Sequence, residues 1–296
     1  MWLAHYLENN GDPEASIDYG TRALARCTPE DGPSFAALLR TILGGLHAQL
    51  GQHAEAASYL VAALPDLEAL GAYDDAIQVR AMLAFAAMVE GRLDDAAALI
   101  AEMERQAPIS GGLGGPFLQV LSTAELVLAR GDVAGGLERY TAGIQGLREL
   151  RFPGMGITSG YEPWTLYGES AGLAAFALHG EPPAGEDLFE VLRAKAPEVV
   201  DPERHHLDFP VAGSVLYALG AWGLFRRTMP VGVAARLLVL ADRFAYTRYS
   251  PTMTPARTHD VVDREAPGLL ARIEAELGER RGPELLEEAR ATLAQI

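Results

Sequence analysis

The chain has 296 residues, a formal charge of −16 and one cysteine, Cys27. A chain this acidic has no general attraction to the phosphates of DNA, which excludes direct nucleic-acid binding as the expected activity. One cysteine excludes an internal disulfide and a cysteine-built metal cage, and it fits a reducing compartment.

Ala, Leu, Glu and Arg dominate, all good helix formers, and no run of alternating β-branched residues stands out, so the expected class is all-α. Of the 24 Lys and Arg residues only Lys195 is a lysine, a bias that reads as codon pressure rather than chemistry. No charged start precedes an apolar core, so a cytoplasmic protein is expected.

From its beginning the chain repeats. Gly11, Gly51, Gly91 and Gly131 stand 40 residues apart. Seven residues before each comes a small residue (Ala4, Gly44, Ala84, Ala124), and five after comes another (Ser16, Ala56, Ala96, Gly136). A fixed period of this length predicts stacked units, none of which buries its apolar face alone. Each glycine predicts the left-handed residue that ends a helix. At Gly11-Asp12-Pro13 the aspartate is a cap for the following helix and the proline its first residue. Apolar residues recur every three or four positions on either side, as in Ala81, Leu83, Ala84, Phe85, Ala87 and Met88, so the unit is an αα-hairpin.

Leu43-Gly44…Gly51…Ala56…Leu60 and Leu83-Ala84…Gly91…Ala96…Ile100 resemble the tetratricopeptide repeat. The resemblance implies a right-handed helical-hairpin solenoid of about six to seven helix pairs. A 40-residue period exceeds the usual 34 by roughly six residues, to be shared between helices and linkers.

Three regions follow from the rhythm: four regular repeats over 1–150, a loop over 151–164, and divergent repeats with a final helix pair over 165–296. The loop is rich in glycine, proline and aromatic residues. It reads mainly as packing against the groove of the repeats, and Tyr161 and Trp164 are its candidates for ligand contact. Beyond it, helices are expected over Gly168–His179, Ser214–Arg227, Val233–Phe244, Gly268–Leu277 and Pro283–Ile296. Phe209–Phe225 is uncharged but shorter than the ~20 residues of a membrane span, so it reads as a buried helix. At the other end Met1 and Trp2 fall inside the first helix. Trp2, Leu3, Tyr6 and Leu7 then form an uncapped end, expected in a piece of a longer protein or in a homo-oligomer whose neighbour covers it.

Catalytic signals are weak by comparison. Asp201–Asp208 gathers carboxylates with His205 and His206, but as a solvated loop rather than a metal site. Gly111–Gly115 lacks the strand and the Lys-Ser/Thr of a phosphate loop and reads as a linker. Cys27 has no base in register. No catalytic residue, metal or cofactor is expected.

The candidate functional surface is the groove built from the first helix of each hairpin. Gln49, Arg80, Phe85, Met88 and Glu125 are its candidate partner or ligand contacts. It lacks the cations of a carboxylate clamp, and its apolar character suits an amphipathic helix, an apolar small molecule or the chain's own neighbouring domain. Arg40 and Arg80 share a repeat position, where internal pairing with carboxylates competes with ligand contact.

In the second half, Phe225–Pro230, Ala234–Tyr246, Ser250–Met253 and Glu279–Arg290 resemble the C-terminal helical-repeat region of large actinobacterial regulators. These are regulators of the antibiotic regulatory protein type and their relatives with a bacterial transcriptional activator domain. The resemblance implies a sensor or scaffold role, with a protein or an upstream NTPase or DNA-binding domain as partner. No P-loop or basic recognition helix is present to carry nucleotide or DNA functions. The expected function is a protein-interaction or signal-sensing scaffold; the alternative is a small-molecule receptor closed by the 151–164 loop.

Overall fold

The computed structural model describes residues 2–107, 114–149, 159–203 and 208–296, and among them it contains helices and turns but no strand. The protein is all-α. Among the described residues fifteen α-helices follow in chain order: α1 Trp2–Asn9, α2 Pro13–Leu24, α3 Pro33–Gln49, α4 His53–Ala69, α5 Tyr73–Val89, α6 Leu93–Gln106, α7 Gly114–Ala129, α8 Val133–Glu149, α9 Pro163–His179, α10 Glu186–Val199, α11 Phe209–Arg226, α12 Val231–Arg243, α13 Ala256–Glu265, α14 Leu269–Leu277 and α15 Leu286–Leu293.

The chain forms two compact units. The first comprises the chain up to Glu8, Pro13–Gly143 and Arg248–Pro251; the second comprises Asn9–Asp12, Ile144–Thr247 and Thr252–Ile296. Packing therefore divides the chain inside α8, not at the end of the periodic sequence near residue 150.

In the first unit the glycine ladder becomes a set of identical helix ends. Gly51, Gly91 and Gly131 have φ of 74°, 77° and 90°. At each, the glycine N–H and the next N–H bond back to the last turn, as in Gly51 to Ala48 O at 3.0 Å and Gln52 to His47 O at 2.8 Å. This is the Schellman arrangement, which satisfies carbonyls a helix end leaves open. Gly71 does the same between hairpins, with φ 70° and Ala72 N–H on Leu67 O at 2.9 Å. Helices α3, α4 and α5 are each 17 residues long, joined by three-residue turns, so the 40-residue period is two equal helix-plus-turn steps. The residues beyond the usual 34 are spent on helix length.

Small residues bring the helices together. A methyl added to Gly44 of α3 would stand 2.5 Å from Leu60 of α4, and one added to Gly136 of α8 would stand 2.5 Å from Leu128 of α7. Helix α3 also packs on α5, and α5 on α7, so the first helices of successive hairpins stack as well. Ala56, Leu60, Ala63, Ala76, Val79 and Met82 build a shared core from apolar positions at helical spacing.

The second unit is organised around α11, which is buried along nearly its whole length and packs on α9 and α12. Its glycines permit this. A methyl on Gly213 would lie 3.0 Å from Ala241 O, and one on Gly220 would lie 3.1 Å from Ala234 O, both on α12. The uncharged stretch from Phe209 is therefore a core helix, started by Asp208, whose carboxylate accepts the Val211 N–H at 3.0 Å. Tyr217 stacks on Tyr246 at 4.6 Å and Phe209 meets Phe244 edge-on at 5.2 Å. Helix α9 starts at Pro163, so Pro163 and Trp164, expected in the loop, form its first turn; proline suits that position because it has no N–H to leave unpaired.

Helix α12 ends in the same Schellman geometry, but the left-handed residue is Ala245, with φ 54°. A Cβ there costs about 1 kcal/mol. Ala245→Gly is accordingly expected to stabilise the chain slightly, by up to about 0.5 kcal/mol after the extra backbone entropy of glycine. A higher urea midpoint at unchanged slope would establish this; a lower midpoint would refute it.

Candidate functional site

The groove expected along the first helices of the repeats is closed where it was expected to be open. Gln49, Phe85 and Met88 are buried, Phe85 completely. Helix α5 is buried all round rather than on one stripe, which the run Ala81–Met88 permits because it holds no polar residue. Part of the cover is the chain itself: the ring of Tyr249 stacks on Phe85 at 5.9 Å and 19°, and the Arg248 N–H donates to the Gln49 carbonyl at 3.2 Å. Tyr249 also packs against the core shared by α3, α4 and α5. As a correction, these three residues are therefore not free ligand contacts. The apolar spacing read from sequence marks a buried face but carries no information on what buries it.

Arg80 is pointed inward. Its guanidinium pairs with Glu68 of α4 and donates to Gln106 of α6 at 2.8 Å, and Gln106 in turn donates to Glu102 at 3.0 Å. Arg40 repeats the theme one hairpin earlier, 3.0 Å from Asp66. Both arginines pair internally, so Arg80 is a clamp between three helices and not a ligand contact. Glu125 is buried too, and accepts the Tyr140 hydroxyl at 2.6 Å from the facing helix α8. A buried carboxylate needs such a donor.

Tyr161 and Trp164, the candidates from the loop, lie in the second unit and are half-buried. Tyr161 stands beside a cluster of buried and half-buried charges. Glu169 of α9 is fully buried; one oxygen takes Arg148 at 2.8 Å and the other takes Lys195 at 2.7 Å. Lys195, the chain's single lysine, also donates to Gly160 O at 2.7 Å, and its ammonium lies 5.7 Å from the centre of the Tyr161 ring. Glu162 completes the corner by accepting the N–H groups of Ser159 at 2.6 Å and Gly160 at 3.0 Å. Burial alone would raise its carboxyl, but these donors hold it below the ordinary glutamate value. Sequence reasoning missed this cluster; its one signal was a lone lysine in an arginine-rich chain.

The remaining candidates add no convergent chemistry. Residues 151–158 of the expected loop, His205 and His206, and Gly111–Leu113 lie outside the described residues. Among the described residues no group of His, Cys, Asp and Glu is placed to hold a metal ion, and no helix is long and apolar enough to cross a membrane. Cys27 is a half-buried thiol that donates weakly to Ala23 O at 3.5 Å. A cleft of about 350 Å³ beside Leu224, Met229 and Val231 has Arg227 and Glu265 in its lining, 3.7 Å apart and paired with each other.

Fold and site together define an all-helical hairpin-repeat protein whose buried polar groups clamp helices to one another. In comparison with known proteins, no family model and no curated protein matches the chain.

Proposed function

We propose that the chain is a non-catalytic protein-interaction or signal-sensing scaffold, related to the sensor regions of the transcriptional regulators that its C-terminal half resembles. The observation that carries this reading is the distribution of exposed apolar surface. Among the described residues the large apolar side chains left exposed all lie between Leu3 and Val133, on the regular repeats; Tyr6 is 64% exposed, Val61 60% and Phe35 41%. Single exposed apolar residues are ordinary. Their confinement to the repeats, while the helices from α9 onward keep theirs inside, is what a repeat array presenting a binding surface would have. The partner is another protein, or an NTPase or DNA-binding domain upstream of the repeats.

Replacing Phe35 and Val61 together by glutamate tests this. Both side chains are exposed, so helix content and melting temperature are expected to stay within a degree or two of the parent, since such surface changes cost about 0.5 kcal/mol or less. Loss of proteins captured by the parent chain from the cells that make it, identified by mass spectrometry, is the expected result. Capture of the same set by both chains would refute the reading. Phe85→Asp and Met88→Asp are unsuitable for this purpose, because both positions are buried and a charge there would unfold the repeats.

A further inference from the structure

We infer that Arg248–Pro251 is a built-in ligand of the repeat groove, and that the groove takes a short peptide with an aromatic side chain in the place of Tyr249. This deepens the scaffold reading and rests on it. Four residues carry the inference by their placement: they belong to the first unit, while Thr247 before them and Thr252 after them belong to the second. Arg248 and Tyr249 are neither helix nor strand and Pro251 opens a 3-10 turn, so the segment enters the groove as a short irregular loop.

Its contacts are those of a bound peptide. A main-chain N–H of Arg248 meets the carbonyl of Gln49 in the last turn of α3, at 3.2 Å. Carbonyls at that end of a helix carry the negative end of its dipole and suit a donor. The Tyr249 ring lies on Phe85, in the middle of an α5 face made of alanine, methionine and phenylalanine, and Ser250 is fully buried. A backbone hydrogen bond fixes the position of the segment and an aromatic ring in an apolar bed supplies the buried area, the division of labour by which grooves bind short peptides. A segment on the same chain acts at an effective concentration on the order of mM, so a free peptide of ordinary affinity gains access only when the segment leaves.

The test uses the full chain and a fluorescent peptide of sequence 245–254. Tyr249→Ala is expected to bind this peptide at least tenfold more tightly than the parent, while Tyr249→Phe behaves as the parent. The same peptide with alanine for tyrosine at position 249 is expected to bind none of them. Equal binding to parent and to Tyr249→Ala, or no binding to a Tyr249→Ala chain that melts cooperatively, overturns the inference. If Tyr249→Ala does not fold, hydrogen exchange on the parent decides. Saturating peptide is expected to speed exchange of the Arg248 amide several-fold, and no change overturns the inference. Partner capture through Phe35 and Val61 is a separate readout: capture unchanged by their replacement refutes the scaffold, whereas a silent peptide refutes only the groove ligand.

Discussion

Replacing Glu169 by alanine is expected to destabilise the chain by about 3–5 kcal/mol, the usual cost of removing one partner from a buried ion pair. Glu169 is fully buried and serves two cations at once, Lys195 at 2.7 Å and Arg148 at 2.8 Å. The two cations fare differently when the carboxylate is gone. Arg148, with 43% of its side chain exposed, can turn to water; Lys195, at 15%, is left as a charge in a poorly hydrated corner beside Gly160 O and the Tyr161 ring. Most of the loss is therefore assigned to Lys195. A Glu169→Leu, Lys195→Met double variant is expected to recover more than half of it, because apolar pairs of similar volume often replace buried ion pairs without net cost. Urea denaturation of the single and double variants closes the cycle. A Glu169→Ala chain within about 1 kcal/mol of the parent would show that the cluster is hydrated and contributes little.

Phe85→Ala is expected to cost about 3–5 kcal/mol through lost burial and the cavity left behind. Phe85 is fully buried in a helix that is itself buried all round, and the neighbours that would have to collapse onto it include the stacked ring of Tyr249. Val61→Ala, at a site 60% exposed on the same unit, is the matched control and is expected to change stability by about 0.5 kcal/mol or less. Equal effects at the two positions, measured as urea midpoints, would refute the packing described for α5.

How far each feature was legible depends on whether its cause is local. The helix ends are local: a left-handed backbone at C′ needs glycine, so Gly51, Gly91 and Gly131 announce themselves and adopt φ of 74°, 77° and 90°. Gly71 has the same geometry but stands 20 residues after Gly51, halfway between two rungs, so the ladder that begins at Gly11 passes over it. Small residues at the hairpin crossings were legible for the same local reason. Boundaries were less so: Pro163 and Trp164 look like loop beside Pro153 and Gly160, yet they form the first turn of α9, a position that proline also suits.

The site was mostly not legible. Arg80 was marked by its repeat position, and internal pairing was one of its two readings. The identity of its partners, Glu68 and Gln106, depends on how three helices are arranged about it. Phe85 and Gln49 were expected in an open groove, but they are buried, and the residues that meet them, Tyr249 and Arg248, are more than 160 positions away and follow no period.

By itself, then, the sequence determined the all-α class, the hairpin unit, its glycine turns and the close helix crossings, because each follows from backbone conformation or side-chain size within a few residues. The tertiary structure alone decided that Tyr249 lies on Phe85 and Arg248 meets Gln49, that Glu169 gathers Lys195 and Arg148, and that the chain divides within α8. Those outcomes depend on which distant segments meet, and an apolar or charged position records that it needs a partner without recording which.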